Sequence, residues 1–171
     1  TQTHHIHKET GLPAYHERFD EVLAFHSPGL APVQMGEQSY HVDMHGKPVY
    51  SQRFQRCFGF YDGIAAVITE KGWRHILPNG DFAHGKTLVW SGNFQEGICT
   101  IRLSSGKYVH IDKFGNSLYS QGWNYAGDFR YGVAVVQNEK GVSTHIDRTG
   151  FFLHGKWFQD LDVYHKGYAR A

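Results

Sequence analysis

A chain of 171 residues with a formal charge of +1 and 19% charged residues is long enough to bury a core. It lacks the basic excess and basic stripe of proteins that coat phosphates, which excludes nucleic acid as the expected partner. No apolar run reaches the roughly 18 residues that span a bilayer, and no basic-then-apolar start resembles a signal peptide, so no membrane role is expected.

High aromatic content (15%) beside 20 glycines suits short strands joined by tight turns. Cys57 and Cys99 do not read as a disulfide framework and point to a reducing compartment such as the cytoplasm. The chain opens on Thr1 rather than Met, as expected for a processed product or an excised piece.

From the N-terminus, residues 5–11 (His-Ile-His-Lys-Glu-Thr-Gly) read as a strand and a glycine turn with no partner strand before them. An aromatic stretch follows, with Tyr15, Phe19 and Phe25. Then comes Gly29-Leu30-Ala31-Pro32-Val33, answered by His41 and Gly46. The phrase recurs: the leading glycines are Gly29, Gly63, Gly97, Gly132 and Gly167, spaced 34, 34, 35 and 35 residues apart. His41, His75, His110 and His145 keep the same beat, as do Gly46, Gly80, Gly115 and Gly150. One supersecondary unit is therefore copied along a single repeat domain, 1–171. Its units run approximately 1–28 (partial), 29–62, 63–96, 97–131, 132–166 and 167–171 (partial).

Residues 63–69 alternate with period two and are apolar on both faces, which predicts a covered strand. Glu70-Lys71-Gly72 is a turn, and residues 73–77 form the returning strand. The next turn reads Asp43-Met44-His45-Gly46 in one copy and Asp112-Lys113-Phe114-Gly115 or Asp147-Arg148-Thr149-Gly150 in others. Aspartate accepts backbone N–H bonds and glycine tolerates positive φ, as a type I turn with a glycine bulge requires. Tyr15, Tyr50, His84, Tyr119 and His154 share one register, and Phe25, Phe60, Phe94, Phe129 and Tyr164 another. These rings are expected to fill the space between units. No segment carries a capped helical stripe, so the fold class is all-β: about five β-hairpin repeats in a closed five-bladed propeller-like ring. The N-terminal strand then completes the last unit, which removes two exposed sheet edges. The alternative is an open β-hairpin solenoid.

Phe129 to Val136 followed by His145-Ile146-Asp147-Arg148-Thr149-Gly150, and Phe94 to Ile101 with His110 to Gly115, resemble the WG (KWG) β-repeat family of bacterial proteins. The likeness covers essentially the whole chain but departs at the naming dipeptide: Trp73 and Tyr108 match the tryptophan, Ser143 does not, and Arg74, Val109 and Thr144 replace the glycine. The resemblance implies a divergent, histidine-containing branch with a binding or scaffolding role and no shared catalytic site.

His41, His75, His110 and His145 are the alternative candidates for a metal site, since imidazole is a common zinc ligand. The structural expectation is that each bonds a turn carbonyl or the aspartate two residues on, although His75 has Leu77 there. No nucleophile elbow, phosphate loop, zinc-protease helix motif or Cys-x-x-Cys is present, so neither an enzyme nor a cofactor is expected. Recognition in a repeat protein belongs where exposed copies differ. That selects Asp62, Glu96, Arg130, Tyr131 and Lys166 around the leading glycines, with Trp73, Trp90 and Trp157 as stacking anchors. The expected partner of a chain that is monomeric or part of a larger polypeptide is a protein or peptide. The alternatives are a glycan bound once per unit and a histidine-bound metal.

Overall fold

The strands that the alternation marks do pair as antiparallel hairpins, and in each sheet a third strand joins them. The structure, a computed structural model, describes residues 2–171. Its strands are β1 (Glu21–Val22), β2 (Ala31–Met35) and β3 (Gln38–Val42), then β4 (Arg56–Tyr61), β5 (Ile64–Thr69) and β6 (Gly72–Ile76). They continue as β7 (Trp90–Gln95), β8 (Ile98–Arg102) and β9 (Tyr108–Asp112), then β10 (Tyr125–Ala126), β11 (Val133–Gln137) and β12 (Ser143–Asp147). Each consecutive trio is one antiparallel sheet, giving four three-stranded sheets. Among the described residues there is no helix and no closed sheet, and no fifth three-stranded sheet.

The first strand of each trio comes from the aromatic half of the copy, which the sequence pattern assigns to packing alone. The reason is local. The register shifts between Cys57 and Phe60 in β4 and between Ser91 and Phe94 in β7. Such a bulge breaks period two, so neither segment shows the alternation of a strand. Sheets also continue outward through single bridges, Ser39 to Phe54, Tyr108 to Trp123 and Ser143 to Phe158. The chain then passes directly into the next sheet.

Two compact units divide the chain, residues 1–87 and 88–171, with two sheets each. In the first, Tyr15, Phe19, Ala31, Val33 and Val42 form one core cluster, and Tyr50, Phe54, Cys57, Phe60, Val67 and Ile76 form another. In the second, Trp123, Phe129, Ala134, Val136 and Ile146 pack together. The small and β-branched residues of the middle strand sit under the rings of the aromatic half, as the registers predict. Burying each large side chain contributes about 1.5–3 kcal/mol.

Two turn types fix the sheet ends. Between the first and second strands, Asp62 and Gly63 have φ of 50° and 77°, and Tyr131 and Gly132 have 52° and 75°. Two successive left-handed residues make the type I′ turn whose twist suits a hairpin. After the third strand, Asp43 N–H donates to the Lys47 carbonyl and Gly46 N–H to the Asp43 carbonyl. The Asp43 carboxylate accepts from His45 and Lys47 N–H at 2.8 and 3.0 Å, the expected glycine-bulge turn. Glycine is required here twice over. Gly80 has φ +86°, and a Cβ on it would lie 2.6 Å from the Tyr50 ring; Gly46 and Gly150 meet Tyr15 and Tyr119 in the same way.

Candidate functional site

The histidine row lies inside the protein. His41, His75 and His110 are completely buried and His145 nearly so. The Nε2 atoms of His41, His110 and His145 lie 2.8 Å from the carbonyl oxygens of Phe58, Gly127 and Asp162. His5 Nε2 lies 2.7 Å from the Leu23 carbonyl. A carbonyl only accepts, so each Nε2 carries the proton and each Nδ1 must accept. The donor to Nδ1 is the tyrosine hydroxyl of Tyr15, Tyr50 or Tyr119 for His5, His41 and His110. In the other two copies it is a second imidazole, His84 for His75 (2.8 Å) and His154 for His145 (3.0 Å). The Nδ1 atoms of His84 and His154 accept from Lys86 and Lys156 N–H, so their Nε2 atoms are the donors. His41, His75, His110 and His145, pushed toward the neutral form by burial, thus share one tautomer.

This corrects the expected partners. The aspartate two residues on is occupied by its own turn, and the histidine reaches instead to the ring nine or ten residues on and, for His5, His41, His110 and His145, to a backbone carbonyl 17 or 18 residues on. His41 on β3 thereby ties its sheet to Phe58 on β4. Burial pushes His41 down to about 4 against the pull of the Phe58 carbonyl. Burial first and His84 second push His75 down to about 3. His110 and His145 are also lowered, chiefly by burial, while burial raises the Tyr50 and Tyr119 phenols and keeps them donors. Both ring nitrogens of His41, His110 and His145 face protein atoms. Among the described residues no group of three or more His, Cys, Asp or Glu is arranged to hold a metal ion. Cys57 and Cys99 are buried and form no disulfide, each thiol pushed up to about 12 by burial.

The variable residues divide between the two ends of the sheets. Asp62, Glu96, Tyr131 and Lys166 each occupy the first left-handed position of a type I′ turn. Tyr131 is 83% exposed. Glu96 is engaged inside the second unit: its carboxylate accepts from Tyr131 and Gly132 N–H and from Arg148 at 2.7 Å. Arg130 lines a cavity of about 360 Å³ with Asp128 and Asp162. The tryptophans sit at the opposite end. Trp73 pairs with Ile68 beside the β5–β6 turn, and Trp90 pairs with Arg102 beside the β8–β9 turn. Trp157 adjoins Phe158, which bridges to Ser143 at the start of β12. Trp73 stacks flat on Phe58, centroids 5.0 Å apart, and Trp157 meets Phe152 edge-on at 5.4 Å. Within each unit the turn residues and the tryptophans therefore lie at opposite ends of the sheets.

At the tryptophan end of the first unit lies a cavity of about 580 Å³ that no sequence motif announces. Three segments form it: the β2–β3 turn with Glu37 and Gln38, residues 52–55 before β4, and the β5–β6 turn with Glu70 and Lys71. Arg53 lies 3.9 Å over the Tyr40 ring with its Nη1 donating to the carbonyls of Tyr50, Ser51 and Gln52. Arg74 lies 3.7 Å over Phe82, and its Nη2 donates to the His84 carbonyl. Both guanidinium groups are held flat as walls by ring stacking, and Phe82 remains 47% exposed. The signal for this groove in the sequence is only that the copies differ at these turns.

No family model matches the chain, and no curated protein matches it. Among solved structures it is similar to the computationally designed Ika8 protein, with a TM-score of 0.57 and 14% identity over 91% of this chain and 57% of that one. It is also similar to BamB from Moraxella catarrhalis, a β-propeller protein, with a TM-score of 0.52 and 13% identity over 81% of this chain and 51% of that one. The chain thus spans little more than half the length of either structure. At such identities the likeness shows the fold alone, an all-β architecture of propeller type.

Proposed function

We propose that this chain is a non-enzymatic binding module that holds a peptide segment of a partner protein between its variable turns. The observation that carries this reading is the open groove of about 580 Å³ in the first unit, built by two hairpin turns and residues 52–55. Repeated polar residues support it from the other side: the histidines, turn aspartates and ring partners are engaged in internal hydrogen bonds, which leaves the variable turns to meet a ligand. Propeller folds commonly serve protein interaction, a fold-level analogy in the same direction.

Selection of a random peptide library on the whole chain, alongside a glycan array, tests the reading. Enriched peptides whose affinity falls about tenfold on Phe82→Ala or Gln55→Ala are the expected result. Peptides indifferent to both substitutions, or sugars bound in place of peptides, overturn it.

The same reading includes a closed five-bladed ring. Thr3 bridges Phe19 as Ser39 bridges Phe54, which is third-strand pairing, whereas Asp162 N–H donates to the Arg170 carbonyl as Gly127 does to Val135, which is first-and-second-strand pairing. The two end segments are complementary parts of one copy. Removing residues 1–10 costs a closed ring several kcal/mol by orphaning a strand, whereas an open array frays only at that end. Urea unfolding distinguishes the two.

A further inference from the structure

The second unit shows what the groove of the first is shaped to receive. The offset that carries His41 to His110 also carries Gln38 to Lys107, Gln55 to Asn124, Glu70 to Glu139 and Lys71 to Lys140. The backbones correspond beside these places, since Ser39 bridges Phe54 as Tyr108 bridges Trp123 and Gln55 N–H donates to the Ile68 carbonyl as Asn124 N–H does to that of Gln137. The two hairpin turns are each one residue shorter in the first unit. In the second unit the Lys107 ammonium stands 2.7 Å from both the Asn124 amide oxygen and the Glu139 carboxylate. Its stem runs over Gly122, where an added Cβ would come within 3.0 Å of Lys107 Cβ. In the first unit the lysine is replaced by Gln38, which carries no ammonium. Gln38, Gln55 and Glu70 all line the cavity, and among the described residues none of these three side chains has a hydrogen-bond or ionic partner.

We infer that the first unit's groove is a receptor for a lysine side chain of a peptide ligand, whose ammonium takes the place that Lys107 Nζ occupies in the second unit. The inference rests on the groove reading above and names the chemistry that the groove selects. A carboxylate and an amide oxygen are matched by a compact group with three donors. The neighbouring guanidinium groups keep their charge but are held against rings. Arg53 and Arg74 are pinned over Tyr40 and Phe82. Lys71 corresponds to Lys140, beside which Lys107 is accommodated. Glu37, in the shorter turn of the first unit, adds a second carboxylate to the lining.

The test uses the whole chain and an acetylated, amidated Gly-Gly-Lys-Gly-Gly peptide, with the norleucine counterpart as the uncharged control, read by side-chain amide shifts in NMR. The expected result is a saturable shift at Gln38 and Gln55 with the lysine peptide alone. Glu70→Gln weakens it about tenfold. Gln38→Lys, which supplies the ammonium from within, abolishes it. Lys107→Gln adds a second saturable response at Asn124. Equal responses to both peptides, none up to the solubility limit, or a response that survives Gln38→Lys overturns the inference. If library peptides still depend on Phe82 while the lysine peptide is inert, the lysine assignment fails and the groove reading stands. If no library peptide depends on the groove, the reading itself fails.

Discussion

Acid should destabilise this protein through its buried histidines. His41 and His75 ionise near 6.5 in an unfolded chain but are pushed down to about 4 and about 3 in the folded one. The unfolded state therefore binds more protons between those values, so stability is complete above about pH 6.5 and falls as pH drops. At pH 5 each of the two histidines costs about 2 kcal/mol. The full losses, roughly 3 and 5 kcal/mol, are reached only below the folded values. Against a typical stability of about 5–15 kcal/mol these are large. His110 and His145 are shifted in the same direction and steepen the fall. Glu21 and Asp147 stay out of this window: the Arg56 hydrogen bond holds Glu21 below its usual 4.5, and the Thr149 hydroxyl holds Asp147 below 3.8. Urea midpoints followed by tryptophan fluorescence from about pH 7.5 to about pH 5 should give a slope of at least about 2.7 kcal/mol per pH unit in the lower half, equivalent to two protons. His75→Gln should reduce that slope by about one proton. A stability independent of pH over this range, or an uptake below one proton, would refute the buried neutral imidazoles.

Three further substitutions probe the scaffold by the same unfolding assay. Gly80→Ala forces a side chain into the Tyr50 ring at a backbone φ of +86° and should cost about 3 kcal/mol or more, whereas Gly63→Ala, with nothing within 4 Å at φ +77°, should cost only about 1–2 kcal/mol. Equal costs would show that the tyrosine yields freely. Tyr119→Phe removes the hydroxyl that donates to His110 Nδ1 and should cost about 1–3 kcal/mol, because the imidazole is left with a buried acceptor unpaired. Glu96→Gln weakens the bonds to Tyr131, Gly132 and Arg148 and should cost at most about 1 kcal/mol on this partly exposed surface. A gain in stability would argue that the carboxylate serves recognition rather than turn alignment.

What could be read beforehand was whatever recurs locally. Asp43 and Gly46, three positions apart, state their turn chemistry in the residues themselves, and Phe60, Phe94 and Phe129 announce a core by keeping one register. Strand β4 was hidden because the bulge between Cys57 and Phe60 moves its buried residues off period two. The histidine partners were half legible. The residue nine after His41, His75, His110 and His145 is always a ring with an O–H or N–H. The carbonyl of Phe58 or Gly127, however, reaches its histidine only once two sheets are stacked.

The groove was illegible for a different reason: it arises from a residue that one copy has and another lacks. Equivalent places beside the Ser39 and Tyr108 bridges present a glutamine in one unit and a lysine in the other, and only coordinates show that the lysine closes a gap between two turns. Duplication makes such differences informative. The scaffold constrains every shared position through a buried bond or a turn, so a lost strap in one copy leaves its acceptors in place. Glu70 and Gln55 persist without the cation that Glu139 and Asn124 enjoy. Two unpaired acceptors at a groove gain nothing for folding, since exposed ones are satisfied by water. Their use lies in what an incoming ammonium gains from finding them already aligned.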